Sequence, residues 1–313
     1  MQKLIAVVGP TASGKTALSV SIAERFGGEV VSADSMQIYR EMNIGTAKPT
    51  AEERRGIPHH LIGFLPVSDN YSVASYVNDA HRVLKDLKQR GVLPVLCGGT
   101  GLYLDHLLRK TDFFEIPDKE EIRSFYQRIA REKGREYLYG LLEERDPLLA
   151  GTLHPNDEKR VIRGLEVLEI TGKRLSDLQR ASLRAPVYDV LYLGLNFRDR
   201  SILYDRMDRR VERMMENGLA DEARGILRAG NLSATARAAI GYKELFDCFE
   251  RGENIENAVA LIQRKTRNYG KRQITWFKRN EKIHWLYPDE IGEEGVLKTA
   301  VDLAEDFLNG GTE

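Results

Sequence analysis

Eight consecutive residues near the amino terminus, Gly9, Pro10, Thr11, Ala12, Ser13, Gly14, Lys15 and Thr16, follow the pattern Gly, four residues, then Gly-Lys-Thr. Types and spacing suit a polyphosphate. Glycines let a turn bring backbone N–H groups up to phosphate oxygens, the lysine adds a point charge, and the threonine hydroxyl is a ligand for Mg²⁺. The plain alternative is a glycine turn with a solvated lysine. It is outweighed only where a strand enters the turn and a helix leaves it. Both are present: Leu4, Ile5, Ala6, Val7 and Val8 form an apolar run of strand length, and Leu18, Ile22, Ala23 and Phe26 recur at helical spacing. Phosphate binding is therefore expected, but it does not choose among kinases, NTPases and other transferases.

A second stretch has the makings of a recognition surface. "RKTRNYGKRQITWFKRNEK" carries Arg264, Lys265, Arg267, Lys271, Arg272, Lys278, Arg279 and Lys282 against the single acid Glu281, with Tyr269, Trp276 and Phe277 interleaved. A solvated basic helix is the bland reading. Charge mixed with aromatic rings is what single-stranded or loop RNA asks for. The total charge gives no such hint, because 47 Lys and Arg balance 47 Asp and Glu.

The elements that hold these residues alternate. A second strand is expected at 29–32, running out into a polar turn, and a helix at 73–90 with Val73, Tyr76, Val77, Ala80, Val83, Leu84 and Leu87 on one face. Gly91 ends it, and "VLPVLCGGTGLYL" reads as strand, glycine turn and helix. Such alternation means a parallel sheet with helices on both faces, whose ligands lie at the carboxyl ends of the strands. The polar turns at 9–16, 32–37 and 98–101 are therefore expected to converge. Residues 118–180 are charged and helical in pattern, and "VLYLGLNF" at 190–197 returns the chain to the sheet. A long helix with the stripe Leu203, Met207, Val211, Met214 and Met215 follows, stopped by Gly218, and "IHWLYP" is a candidate last strand.

The fold class expected is α/β, with a P-loop NTPase-like parallel sheet core, helices on both faces and an all-helical insertion domain. Residues 1–115 with 186–313 form the core and 116–185 the insertion. At 313 residues two domains are in proportion. The longest apolar runs are about five residues, too short to cross a bilayer, so no membrane partner is expected, and no signal peptide either. Cys97 and Cys248 lack metal or disulfide spacing, which suits a reducing cytoplasm, and the scattered histidines suggest no zinc site.

Nine segments in order give a resemblance: "GPTASGKT" at Gly9, "SADSMQIYR" at Ser32, "NIGTAKPT" at Asn43, "GIPHHLIG" at Gly56, "YSVASY" at Tyr71, "GGTGLY" at Gly98, "HPNDEKRVIRGLEV" at His154, "AIGYKEL" at Ala239 and "KRQITWF" at Lys271. Over nearly the whole chain they resemble the bacterial tRNA dimethylallyltransferases, also called tRNA isopentenyltransferases. Two departures are Gly63, where that family usually has aspartate, and Gly164, where it usually has alanine.

The resemblance implies transfer of a dimethylallyl group from dimethylallyl diphosphate to the exocyclic amine of the adenosine 3′-adjacent to the anticodon, in the tRNA anticodon stem-loop. The phosphate loop would then stabilise a leaving diphosphate, with Lys15, Thr16-bound Mg²⁺ and backbone donors gripping harder as the bond lengthens. Asp34 matches the family's general base, against the alternatives of a turn former or a magnesium ligand through water. Thr100 resembles the threonine at the reaction centre and is also placed to cap a helix. Asp34, Ser35, Met36, Gln37 and Thr100 are the expected contacts to the target base. Arg123, Lys159, Arg160, Val161, Ile162 and Arg163 of the insertion, with Gly241, Tyr242, Lys271, Arg272 and Gln273, are the expected contacts to the rest of the RNA. One C-terminal arginine is expected at the diphosphate, and the enzyme is expected to act as a monomer.

Three rivals stand beside this reading. A small-molecule kinase explains the loop and the sheet but not "SADSMQIYR", the basic segment or the insertion. A prenyltransferase using free adenine nucleotide leaves the basic segment without purpose. A non-catalytic RNA binder has no use for a poised phosphate site.

Overall fold

The apolar run at 4–8 becomes the middle of strand β1 (Gln2–Val8), with every side chain from Leu4 to Val8 at most 1% exposed. A strand covered on both faces needs this unbroken apolarity. The computed structural model describes residues 1–108, 119–182 and 186–310. The other strands are β2 (Gly28–Ser32), β3 (His59–His60), β4 (Leu93–Gly98), β5 (Tyr188–Leu195) and β6 (Ile283–Leu286), in the order β3-β2-β4-β1-β5-β6. Every pairing is parallel. The strand β3 is not expected from the sequence: it is two residues long, and both are histidines, paired to Val30 and Val31.

Register explains why the polar turns meet. Val8 is level with Gly98 and Gly194, and Ser32 is level with Cys97. Strands β1, β2, β4 and β5 therefore end together, and the loops leaving them begin on one rim of the sheet.

Helices start and stop where the local chemistry asks. The helix Val73–Arg90 is capped by Ser72, whose hydroxyl accepts from Ser75 N, and it ends in left-handed Gly91. The helix Arg200–Glu216 buries Leu203, Met207 and Val211 as the stripe requires, and Gly218 at φ 94° opens the next helix, Leu219–Ala229. Met214 and Met215 pack against a second core built on Tyr39, Met42, Tyr242 and Phe246. The basic segment forms the last half of the helix Ile255–Phe277 and the turn after it.

The chain divides into two compact units, Met1–Leu108 with Val187–Glu313, and Arg109–Pro186. The limits expected for the insertion, Ile116 and Ala185, lie outside the described residues. Within the second unit the described elements are all helices: Glu120–Lys133, Arg135–Arg145, Pro147–Ala150, Glu158–Thr171 and Leu175–Ser182. Leu138, Leu142, Val161 and Leu165 form its core at 0% exposure. Buried Asp146 ties it together, accepting from Leu149 N at 3.2 Å and from Ser176 Oγ at 2.6 Å. Gly164 is where three helices meet. A methyl group there would lie 2.6 Å from Leu149 Cδ2 and 2.8 Å from Leu142 Cδ1, so the larger leucines have taken the room that an alanine would need.

Candidate active site

The phosphate loop is held in shape by residues far from it in sequence. Gly9 adopts φ 144°, and any side chain there would strike the carbonyl oxygen of Leu195. Ala12, at φ 63°, has its carbonyl bound by Arg206 Nε at 3.0 Å, and Thr11 N donates to Gln273 Oε1 at 2.9 Å. Lys15 Nζ donates to Pro10 O at 2.7 Å. Burial pushes the Lys15 ammonium down to about 8, with Cys97 and Asp34 opposing and Arg210 reinforcing the shift. An ammonium destabilised by lost water and a neighbouring cation is one that an arriving polyanion stabilises. Ser13 is 2% exposed and its hydroxyl has no hydrogen-bond partner among the described residues.

Beside the loop lies a cleft of ≈340 Å³. Thr11, Lys15 and Thr16 line it together with Asp34, Ser35, Met36 and Gln37, and with Cys97, Gly98 and Gly99. Val211, Met214 and Ile262 add apolar surface, and Arg210, Tyr269 and Arg272 add polar groups. The three loops expected to converge do so here.

Asp34 is half committed. Its Oδ1 accepts from Met36 N at 2.8 Å and Gln37 N at 3.2 Å, which makes it the turn former, while Oδ2 has no hydrogen bond among the described residues. One oxygen fixes the loop and the other is left for chemistry. Thr100 precedes the helix Gly101–Leu108, but its hydroxyl accepts from Ser35 N at 3.2 Å across the cleft rim, not from that helix. It fastens the Gly98 turn to the Asp34 turn, with its own N–H on Ala33 O at 3.2 Å.

Several residues expected to touch RNA make firm contacts within the protein. Gln37 Nε2 donates to Thr46 O and Ala47 O, both at 3.2 Å, and its Oε1 accepts from Ser32 Oγ. Gln273 is 5% exposed; besides Thr11 N it binds Gly99 O through Nε2 at 3.0 Å, so it clips two glycine turns together. Tyr242 is fully buried, with its hydroxyl on Glu222 Oε1 at 2.5 Å. Val161 and Ile162 are core residues of the second unit, at 0% and 5% exposure, because a helix packed on one side must bury one face. Polar type alone does not distinguish an inner brace from an outer contact. The aromatic rings of the basic segment also face inward: Phe277 is buried, and Trp276 covers Gly101 and donates to Asp105 Oδ2 at 3.0 Å.

Other expected contacts line the cleft or lie at the surface. Gly241, at φ 95°, lines the cleft with its N–H on Glu244 Oε2 at 2.8 Å. Lys271 and Arg272 are exposed, the first 5.3 Å from the ring centroid of Tyr204 and the second 5.7 Å from that of Tyr269. In the second unit, Arg123, Lys159 and Arg163 line a groove of ≈570 Å³, and Arg160 is exposed nearby in sequence. The 1%-exposed carboxylate of Glu166 spreads two of these arginines, taking Arg123 Nη2 at 2.9 Å and Arg163 Nη1 at 3.0 Å.

Arg210 and Tyr269 were not singled out by sequence reasoning as cleft residues. Arg210 sits three residues after Met207 and four before Met214, a charge inside an apolar stripe, and that was the available signal. Burial pushes its guanidinium pKa down, with the Asp34 carboxylate opposing. Burial, with Asp34 adding to it, pushes the Tyr269 hydroxyl up to about 12.

Comparison with known proteins follows the same lines. The IPP transferase family model matches residues 37–280. A tRNA dimethylallyltransferase of Caldanaerobacter subterraneus subsp. tengcongensis is 44% identical over 309 residues, 98% of this chain and 96% of the relative. One of Enterococcus faecalis is 44% identical over 287 residues, 91% of each chain. The solved full-length tRNA isopentenylpyrophosphate transferase from Bacillus halodurans matches with a TM-score of 0.71 at 39% identity, over 97% of this chain and 98% of that one. A eukaryotic dimethylallyltransferase acting on tRNA matches with a TM-score of 0.83 at 27% identity, over 100% of this chain and 81% of its own. With the family model spanning 37–280 and 44% identity kept over nearly the full length, the chain belongs to the IPP transferase family, alongside relatives named tRNA dimethylallyltransferase.

Proposed function

We propose that this chain transfers the dimethylallyl group of dimethylallyl diphosphate to the exocyclic amine of the adenosine 3′-adjacent to the anticodon of tRNA, releasing diphosphate. The observation that carries the reading is one cleft holding both a phosphate loop and a carboxylate oxygen with no partner among the described residues, Asp34 Oδ2. A phosphate site alone serves many reactions; beside a base and apolar side chains it serves alkyl transfer from a diphosphate ester. The amine nitrogen attacks the allylic carbon, the carbon–oxygen bond breaks, and its electron pair leaves with the diphosphate. Asp34 Oδ2 accepts the amine proton, which matters because an adenine amine is delocalised and poorly nucleophilic. Lys15, Arg210 and the loop N–H groups meet the charge that grows on the leaving oxygen, so they act on the transition state more than on the ground state. Arg272, the C-terminal arginine lining the cleft, is the expected partner of Arg210 at the diphosphate.

Mg²⁺ fits this site in a limited way. Thr16 supplies a hydroxyl at the cleft, and among the described residues no group of three or more His, Cys, Asp or Glu could hold a metal. The protein would hold the ion through Thr16 and leave the other positions to diphosphate oxygens and water, the usual habit of magnesium. Bound there, it supplies charge neutralisation for the departing diphosphate.

RNA would be gripped by exposed Lys271 and Arg272 and, in the second unit, by Arg123, Lys159, Arg160 and Arg163. Free Cys97 and Cys248 suit a cytoplasmic setting. The test is mass spectrometry of unmodified tRNA incubated with the protein, dimethylallyl diphosphate and Mg²⁺. The expected result is one dimethylallyl unit on a single adenosine with an equal amount of diphosphate released. Phosphate carried to any acceptor from a labelled nucleoside triphosphate would overturn it.

A further inference from the structure

Residues 33–50 join β2 to the short helix Ala51–Arg54 with no helix or strand of their own. Two parts of this segment face the cleft, Asp34 with its neighbours and Gly45, Thr46 and Ala47. So long an irregular stretch keeps one shape only if its backbone groups find partners elsewhere. Glu222, on the helix Leu219–Ala229, provides them. Its Oε2 accepts from Asn43 N at 3.0 Å and Ile44 N at 3.1 Å, and its Oε1 from Ile44 N at 3.0 Å and Gly45 N at 3.3 Å. The Tyr242 hydroxyl closes the ring, donating to Oε1 at 2.5 Å and accepting from Gly45 N at 3.1 Å. Three successive N–H groups make an anion nest, here filled by the protein's own carboxylate. Gly45 lies flat on the Tyr242 ring, where a side chain would come within 2.5 Å of Cε2.

The hydrogen bonds continue inward. Thr46 O and Ala47 O accept from Gln37 Nε2, and Gln37 N donates to Asp34 Oδ1 at 3.2 Å. An unbroken chain of contacts therefore links Glu222 to the carboxyl group of Asp34. Ala47 sits at φ 44°, a conformation an alanine keeps only under such constraint. The phosphate loop is braced separately, by Arg206 and Gln273.

We infer that Glu222, with Tyr242, is a positioning residue for the acceptor side of the reaction: it fixes residues 43–47 as the wall against which the incoming adenine is set before Asp34, and touches neither substrate. This rests on the prenyl-transfer reading above. Removing the nest anion should loosen acceptor placement and leave the diphosphate grip intact.

The test measures steady-state transfer to tRNA, with calorimetric binding of inorganic diphosphate to the same full-length variants. In Glu222→Ala, kcat/KM for tRNA should fall by about tenfold or more, the scale of losing charge-assisted hydrogen bonds. Diphosphate affinity should stay within about twofold of wild type, since that loop has its own braces. Glu222→Gln, which keeps one acceptor oxygen, should recover part of the loss, and Tyr242→Phe should show a smaller loss in the same parameter. Unchanged tRNA kinetics in Glu222→Ala, or diphosphate affinity falling in step with activity, overturns the inference. If Glu222→Ala fails to fold, Tyr242→Phe decides, and wild-type kcat/KM in that variant overturns it. A wild-type chain that prenylates no tRNA defeats the function and the inference together, whereas an active wild type with an equally active Glu222→Ala defeats the inference alone.

Discussion

Arg206 donates through Nε to the carbonyl oxygen of Ala12, 3.0 Å away, and Ala12 is the non-glycine residue of the phosphate loop held at φ 63°. Left-handed backbone costs an alanine roughly 1–2 kcal/mol, and an external donor on its carbonyl helps to hold it there.

Arg206→Ala should therefore weaken the donor site without touching the base. The expected outcome is a rise in the KM for dimethylallyl diphosphate on the order of tenfold, the scale of one missing charge-assisted hydrogen bond. Initial-rate kinetics at saturating tRNA check it; an unchanged KM removes Arg206 as a brace.

Asp34→Asn separates the two duties of that side chain. The amide keeps an oxygen for Met36 N and Gln37 N, so the turn and the melting temperature should survive, while proton acceptance is lost. Turnover should drop by about 10²–10⁴-fold, the range for removing a general base. Single-turnover rates with prebound tRNA would show it, and near-normal rates would leave Asp34 as a turn former alone.

Lys271→Ala and Arg272→Ala should weaken tRNA binding and flatten its dependence on salt, by roughly one unit of slope for each phosphate that is no longer neutralised. Filter binding across a salt series reads this directly. A slope identical to wild type would place the RNA elsewhere.

Acid stability has a named contributor in strand β2. The Arg90 guanidinium, bonded to both oxygens of Glu29 at 2.7 and 2.8 Å, holds that carboxyl down to about 2 against an ordinary 4.5, with His60 assisting and burial opposing. A depressed carboxyl stabilises the fold above about pH 4.5 and loses that contribution as the pH falls towards about 2. Glu29→Gln should thus be less stable than wild type at neutral pH, and urea melts of the two should converge at the acid end of that window.

The sheet core was legible because β1, β4 and β5 carry apolar runs long enough to recognise. The loops were legible as places where ligands gather, since parallel strands put their carboxyl ends on one rim. The short strand β3 was not, because two histidines carry no strand signature and pair only where β2 offers an edge. Lys15, Thr16 and Asp34 were readable as cleft residues from type and setting. What was not legible is that Gln37, Gln273 and Tyr242 also bind backbone groups and a buried acid, partners that no residue letter reports. Arg210 was hidden for the opposite reason: its helix reads as a core stripe, and one arginine within it looks like surface until the helix is rotated into place.

The amide of Thr11 waits 262 residues for its partner in Gln273. A ribosome makes the phosphate loop long before the side chain that locks it. The order of synthesis thus delays assembly of the donor site until the helix Ile255–Phe277 has emerged and docked, and a product cut short before that helix would carry the complete "GPTASGKT" without the clip that shapes it.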